Sequence, residues 1–223
     1  MTILSSGDRA EARRAVFVDR DGVINRMFFD PEHGTADSPA NPDQFALMPG
    51  AGKAIAALNH LGLLVIVVSN QPGIAKGKFT RAALEAMEGK MVRGLEAEGA
   101  RLDAVYNCLH HPDASVDEYR VRCECRKPLP GLLVKAAREW EVDLAGSYMV
   151  GDGVTDIAAG RAAGATTLFV NSRKCYNCDA LAAHGAWPDY IVGDLGEAAT
   201  VIQSLEGGDK DSVRQFILKC GSL

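Results

Sequence analysis

Four short apolar runs constrain this chain more than anything else in it: Ala15 to Asp19, Leu63 to Ser69, Ser147 to Gly151 and Thr166 to Val170. None of them alternates apolar with polar residues. A strand with one wet face must alternate, because successive side chains point to opposite sides; a run without alternation is a strand buried on both faces, as in a parallel sheet covered by helices. Helical patterns lie between the runs. Ala51 to Leu61 is Ala-rich and follows Pro49-Gly50. Arg81 to Glu98 sets Leu84, Met87, Met91 and Leu95 on one helical face, with Thr80 placed to cap it. Leu132 to Trp140 and Thr155 to Ala163 complete the set. Strand and helix in alternation predict an α/β fold, a doubly wound and mainly parallel sheet, with residues 1–206 as a single domain and 207–223 as a tail.

The length of 223 residues allows a substantial core, and a hydrophobic content of 47% is ordinary for a globular protein. A net charge of -5 without a basic stripe excludes a nucleic-acid binder. No apolar run approaches the ~20 residues that span a bilayer. Met1 to Arg14 lacks the apolar stretch of a signal peptide, so a cytoplasmic protein is expected. A monomer is expected as well, since no exposed apolar helix face stands out. A small anionic ligand would need local positive charge, from a metal or a few placed cations.

Two long segments interrupt the rhythm, Phe28 to Met48 and Leu109 to Pro130. Long loops in a compact domain are usually functional or disordered, and ligands of open α/β sheets bind beyond the carboxyl ends of the strands.

The chemistry concentrates at the run ends. Asp19-Arg20-Asp21-Gly22-Val23 closes the first run. Residues two apart in an extended chain point the same way, so both carboxylates face one site, roughly 6–7 Å apart. One carboxylate of such a pair can attack phosphorus while the other protonates the leaving oxygen and then activates water. Two carboxylates and a phosphate repel, and a hard divalent cation such as Mg²⁺ relieves that repulsion. Ser69-Asn70-Gln71-Pro72-Gly73 offers a hydroxyl and backbone N–H groups to phosphate oxygens. Arg126-Lys127-Pro128 supplies a cation just before a helix. Asp152 and Asp156 follow another buried run; Asp152 can complete a metal site, and Asp156 can support that site or cap the next helix.

A second metal signal is independent of the first. Cys108 and His110 precede Cys123 and Cys125, and three Cys with one His suit a closed, tetrahedral structural zinc site across 108–125. His111 competes for the fourth position. His110 is preferred because its Cys-x-His spacing mirrors Cys-x-Cys. The other reading is a group of free cytosolic thiols beside a surface His pair.

Taken in order, Asp19/Asp21, Ser69, Lys127 and Asp152/Asp156 resemble the haloacid dehalogenase superfamily, over about residues 15 to 170. The resemblance implies a Mg²⁺-dependent phosphatase of Rossmann-like fold. Asp19 is then the nucleophile, Asp21 the general acid/base, and Ser69 and Lys127 orient the phosphoryl group. Asp19, the Asp21 backbone carbonyl and Asp152 bind Mg²⁺. The Cys-x-His…Cys-x-Cys loop running into Arg126-Lys127-Pro128 is similar to the narrower histidinol-phosphatase-related group, with a minimal cap. That group includes phosphatases of heptose 1,7-bisphosphate and of histidinol phosphate, and the long interval from His110 to Cys123 is more like the heptose enzymes. The resemblance implies that Arg126 and Lys127 contact a sugar bisphosphate, with Asn70 contributing. Gly153 departs from it, standing where the group often has a cation. Asp30 to Gln44 is longer than expected, and Cys175-x-x-Cys178 lies outside the resemblance and is read as free thiols.

Overall fold

The computed structural model describes residues 12–170 and 181–216. Strand β1 (Ala15–Val18) opens a six-stranded sheet. A small antiparallel hairpin follows, β2 (Phe28–Asp30) and β3 (Thr35–Asp37). Helix α1 (Ala51–His60) leads into β4 (Leu64–Asn70), and α2 (Arg81–Glu96) into β5 (Ala104–Cys108). After the cysteine-bearing loop come α3 (Gly131–Trp140), β6 (Tyr148–Gly151), α4 (Val154–Ala163) and β7 (Thr166–Val170). Strand β8 (Tyr190–Val192) and helix α5 (Leu195–Glu206) close the fold. The spatial order is β5-β4-β1-β6-β7-β8, with every neighbouring pair parallel.

The absence of alternation in the apolar runs now has its cause. Val16, Val18, Val65 and Val67 face a layer that includes Ile55, Leu58, Met87 and Ile202 of α1, α2 and α5. Their neighbours Ala15, Phe17, Ile66 and Val68 face Leu132, Leu133 and Ala136 of α3, with Ala159 of α4. Both faces are dry, so both must be apolar. Each large side chain so buried contributes about 1.5–3 kcal/mol. Helix α2 ends its exposed start as the sequence predicts, with the Thr80 hydroxyl accepting a hydrogen bond from Ala83 N at 3.2 Å. No helix among the described residues is long and apolar enough to cross a membrane.

Strands β5 and β8, the hairpin and helix α5 went unread in the sequence. Strand β5 is an edge strand, Ala-Val-Tyr-Asn-Cys, half-buried except for the buried Cys108, and shows no apolar run. Strand β8 has three residues, too short for a period. The hairpin belongs to the long Phe28 to Met48 segment, which leaves and returns at adjacent points: Arg26 N donates to Ala46 O at 2.9 Å and Met48 N to Ile24 O at 2.8 Å. It is an excursion added to the sheet's edge of loops, with its turn at Gly34 in the left-handed region at φ 64°. Near the C-terminus a 3-10 turn covers Arg214–Phe216. Cys175 and Cys178 lie outside the described residues.

Candidate active site and metal clusters

The chain runs from β1 outward through β4 to β5, then crosses back to β6 on the other side of β1. At such a reversal the loops at the carboxyl ends part and leave a crevice. Asp19 follows β1 there, Ser69 and Asn70 end β4, and Asp152 follows β6. Asp19 N donates to Val150 O at 2.9 Å, which holds the start of its loop in sheet register.

Lys127 ties these ends together. Its side chain is 1% exposed, and its Nζ lies 2.8 Å from Asp19 Oδ1 and 2.5 Å from Asp156 Oδ1. It also donates to Val68 O at 2.8 Å. A buried ammonium survives only with such partners, because desolvation without pairing is prohibitive. Burial opposes its charge, but Asp156 and Asp19 outweigh burial and hold it protonated, above the ordinary lysine range. Asn70 fixes the lysine's backbone: its amide Nδ2 donates to Lys127 O at 3.0 Å, and Lys127 N donates to Asn70 Oδ1 at 3.1 Å. Asp156 does both things its position allowed. Its Oδ2 accepts from Gly153 N at 2.9 Å, the N-cap of α4, while Oδ1 meets the lysine. Burial first, then its charged neighbour Asp152, raises the Asp156 carboxyl, against the pull of Lys127.

Asp19 is pushed up to about 6, by burial first and by the charge of Asp156, with Lys127 opposing. Carboxylate oxygens of Asp19, Asp152 and Asp156 come within 4.8 Å of one another. Three converging carboxylates make a hard, oxygen-only donor set, which fits Mg²⁺. Gly22 is required for this convergence. It sits at φ +87°, and a Cβ there would fall 2.3 Å from Asp152 Oδ2.

Asp21 stands in a different network, and here the structure adds residues to which the sequence reading gave no role. Arg20 is fully buried. Its Nε and Nη2 donate to Asp21 at 3.0–3.1 Å, and Nη2 also reaches Gln71 Oε1 at 2.9 Å. Gln71 Nε2 donates to Asp21 Oδ2 at 2.7 Å and to Ser69 Oγ at 3.0 Å, and Asn25 Nδ2 donates to Asp21 Oδ1 at 2.9 Å. Gln71 therefore links the second carboxylate to the Ser69 hydroxyl. The only signal in the sequence was an arginine between two aspartates, and its burial depends on strands distant along the chain.

The cysteine loop forms a compact cluster. The Cys108, Cys123 and Cys125 sulfurs are 3.2–3.5 Å apart, and His110 Nδ1 is 3.4 Å from Cys125 Sγ and 3.9 Å from Cys108 Sγ. The three thiols are free rather than bonded to one another. Four donors converging at these separations fit a tetrahedral ion, and the donor set is that of a structural zinc site. Burial, then hydrogen bonds from the neighbouring thiols, pushes Cys125 well above its ordinary range, a proton that a bound ion would displace. His111 turns elsewhere. Its Nδ1 accepts from Asp113 N at 3.0 Å, so His110 is the histidine of the cluster. Arg126 turns toward the cysteine loop, its Nη1 3.4 Å from His110 O.

Residues 124–198 match a family model described as "HAD-hyrolase-like". A heptose-1,7-bisphosphate 7-phosphatase of Escherichia coli K12 is 41% identical over 195 residues, covering 87% of this chain and 96% of that one. The chain belongs to the haloacid dehalogenase-like hydrolases. A second relative of the family, the D-glycero-beta-D-manno-heptose-1,7-bisphosphate 7-phosphatase of Yersinia pestis, is 37% identical over 85% of this chain and 95% of its own. Among solved structures, the D,D-heptose 1.7-bisphosphate phosphatase from B. bronchiseptica, complexed with magnesium and phosphate, superposes with a TM-score of 0.69. It is 33% identical and covers 86% of this chain and 99% of that one. As a haloacid dehalogenase-like hydrolase of this branch, the chain is a phosphoric monoester hydrolase.

Proposed function

We propose that the protein removes the 7-phosphate of D-glycero-D-manno-heptose 1,7-bisphosphate, with Mg²⁺ at the reaction centre and Zn²⁺ in the cysteine cluster. The observation that carries the reaction is the Asp19 carboxylate held 2.8 Å from a buried ammonium at the carboxyl end of the central strand. The sugar is supported by the relatives' substrate and by their match over most of the chain.

Asp19 attacks phosphorus, the ester P–O bond breaks, and the departing sugar oxygen takes its proton from Asp21. Asp21, now a carboxylate, removes a proton from water. That water attacks the aspartyl phosphate, releases inorganic phosphate and restores Asp19. Lys127 neutralises charge on Asp19 and on the incoming phosphoryl oxygens throughout. Ser69 Oγ accepts from Gln71, which leaves its own O–H to donate to a phosphoryl oxygen. Asp19, Asp152 and the Asp21 backbone carbonyl would hold Mg²⁺, with Asp156 behind them orienting Lys127. When bound, the cation screens the repulsion between carboxylates and phosphate. Asp21 begins as a carboxylate clamped by Arg20, Asn25 and Gln71, so it must part from Arg20 and take up a proton from solvent before it can protonate the leaving oxygen. Cysteines that converge as metal ligands rather than pairing as disulfides suit a reducing compartment, which supports a cytoplasmic enzyme.

The test is phosphate release with Mg²⁺ from both anomers of heptose 1,7-bisphosphate and from histidinol phosphate, run in parallel. Preference for one heptose anomer is the expected result. Preference for histidinol phosphate would reassign the substrate and leave the chemistry in place.

A further inference from the structure

The geometry points to a second phosphate subsite, formed by Lys76 and Lys78 in the pocket between the β2–β3 hairpin and the loop after β4, which holds the substrate phosphate that does not react. This rests on the bisphosphate reading above. The pocket is lined by Asp37, Ser38, Gln71, Pro72, Gly73, Lys76, Lys78 and Phe79. Gln71 is the wall it shares with the reaction centre, since the same amide touches Asp21 and Ser69. A bisphosphate bound with one end at Asp19 has a second dianion to place, and this cavity, which shares Gln71 with the reaction centre, offers two cations.

The lysines are carried on a preformed loop. Lys76 N donates to Pro72 O at 2.9 Å and Lys78 N to Gly73 O at 2.8 Å. Gly73 admits the Phe79 ring, which a Cβ would meet at 1.9 Å. Ser115 N and Val116 N both donate to Ala75 O, at 2.9 and 3.0 Å, so the cysteine-bearing loop braces the residue next to Lys76.

Asp37 is the present occupant. It pairs with Lys78, and both side chains are about half exposed. Burial works against its charge, yet the bonds from Lys78 and Ser38 N, with the charges of Lys78 and Lys76, hold its carboxyl below the usual range. An exposed pair of this kind contributes little to stability. A phosphate carries more charge and three acceptor oxygens, so it can displace the aspartate and engage both lysines.

The experiment measures kcat/KM for heptose 1,7-bisphosphate relative to heptose 7-phosphate, in the wild type and in Lys76→Met, Lys78→Met and Asp37→Asn. Lys53→Met on α1 controls for lost charge. The wild type is expected to prefer the bisphosphate. Each pocket lysine variant should reduce that ratio by about tenfold, the scale of one charge-assisted hydrogen bond. Asp37→Asn should raise it, because the competing carboxylate is gone. That opposite sign distinguishes a subsite from a general disturbance of the loop. A wild-type preference that both lysine variants retain overturns the subsite and leaves the proposed function standing. Equal turnover of the two sugars overturns the subsite and leaves the proposed function standing. If neither heptose is turned over, the substrate reading fails alone. The subsite is then decided by the same variants through inhibition of aryl phosphate hydrolysis by fructose 1,6-bisphosphate over fructose 6-phosphate. A ratio the lysine variants do not change overturns it.

Discussion

The two donor clusters of this protein are held in place by different means. Asp19 and Asp152 follow strands of the central sheet and Asp156 caps α4, and Lys127 is locked among them by burial, by its ion pairs and by the Val68 carbonyl. Their positions are set by a core that forms whether or not an ion is bound. The Cys108, His110, Cys123 and Cys125 cluster sits on a loop with exposed Val116 and Val121 and few buried side chains. Hydrogen bonds such as those to Ala75 O brace it, and the zinc proposed above would supply the rest of its order. An acidic cluster can thus be prepared by a scaffold that tolerates its repulsion, whereas a thiol cluster in a polar loop needs its ligand in order to fold.

The largest effect tests the first half of that contrast. Asp19→Asn removes the nucleophile while keeping its shape, and Lys127 retains Asp156 and Val68 O as partners. Turnover should fall by at least about 10⁴-fold, as when a covalent nucleophile is removed from other hydrolases. The melting temperature should stay close to the wild type. Substantial residual activity would remove Asp19 from its role, and a collapsed melting temperature would show that the acidic cluster supports the scaffold.

Next comes the second half. Replacing Cys123 and Cys125 with Ser leaves two of four donors. A structural zinc site contributes roughly 10 kcal/mol or more to ordering its surroundings. Zinc content should be lost, and protease cleavage should appear within 108–125 before it appears in the sheet. Activity should drop only in part, through the loosened brace on the Lys76 loop. Unchanged zinc content or an unchanged cleavage pattern would end the distinction between the two clusters.

A smaller effect lies at the join. Asn70→Ala deletes both hydrogen bonds to the Lys127 backbone. At about 1 kcal/mol each, stability should fall by about 2 kcal/mol. If Asn70 positions the lysine, kcat falls and KM holds; a raised KM with kcat unchanged would make it a substrate contact instead.

Much of this was legible beforehand, for a physical reason. Buried parallel strands carry their signature locally, so β1, β4, β6 and β7 could be read from runs of valine, isoleucine and leucine. The residues after them inherit their place from the sheet, which is why Asp19, Ser69 and Asp152 were readable as one site. Cys-x-His and Cys-x-Cys are local too. Strand β5 was missed because an edge strand needs only half its surface apolar. Arg20 and Gln71 were missed as partners of Asp21 because their network joins β1 to β4, and no local pattern encodes which polar residue a distant carboxylate will meet.

The mildest prediction concerns protons on the acidic cluster. Without metal, burial and Asp156 hold the Asp19 carboxyl at about 6. In the unfolded chain its value is ordinary, 3.8. Between those values the folded protein keeps a proton that the unfolded chain has lost. This group therefore favours folding at acid pH, and its contribution is lost as pH rises through about 6. Mg²⁺ reverses the balance, since it binds the ionised form. Below about pH 6 the cation must displace a proton, so its affinity should fall by up to about tenfold per pH unit, with proton release on binding. Above about pH 7 both affinity and proton release should level off. Calorimetry of Mg²⁺ binding in buffers of different ionisation enthalpy reads both quantities. The thiol cluster provides the contrast, because burial holds the Cys108 and Cys125 thiols above their ordinary range, so zinc uptake should release protons at neutral pH, where Mg²⁺ uptake releases almost none. Equal proton release at neutral pH from the two sites would mean that Asp19 is not held near 6, and that the acidic cluster depends on its ion as the thiol cluster does.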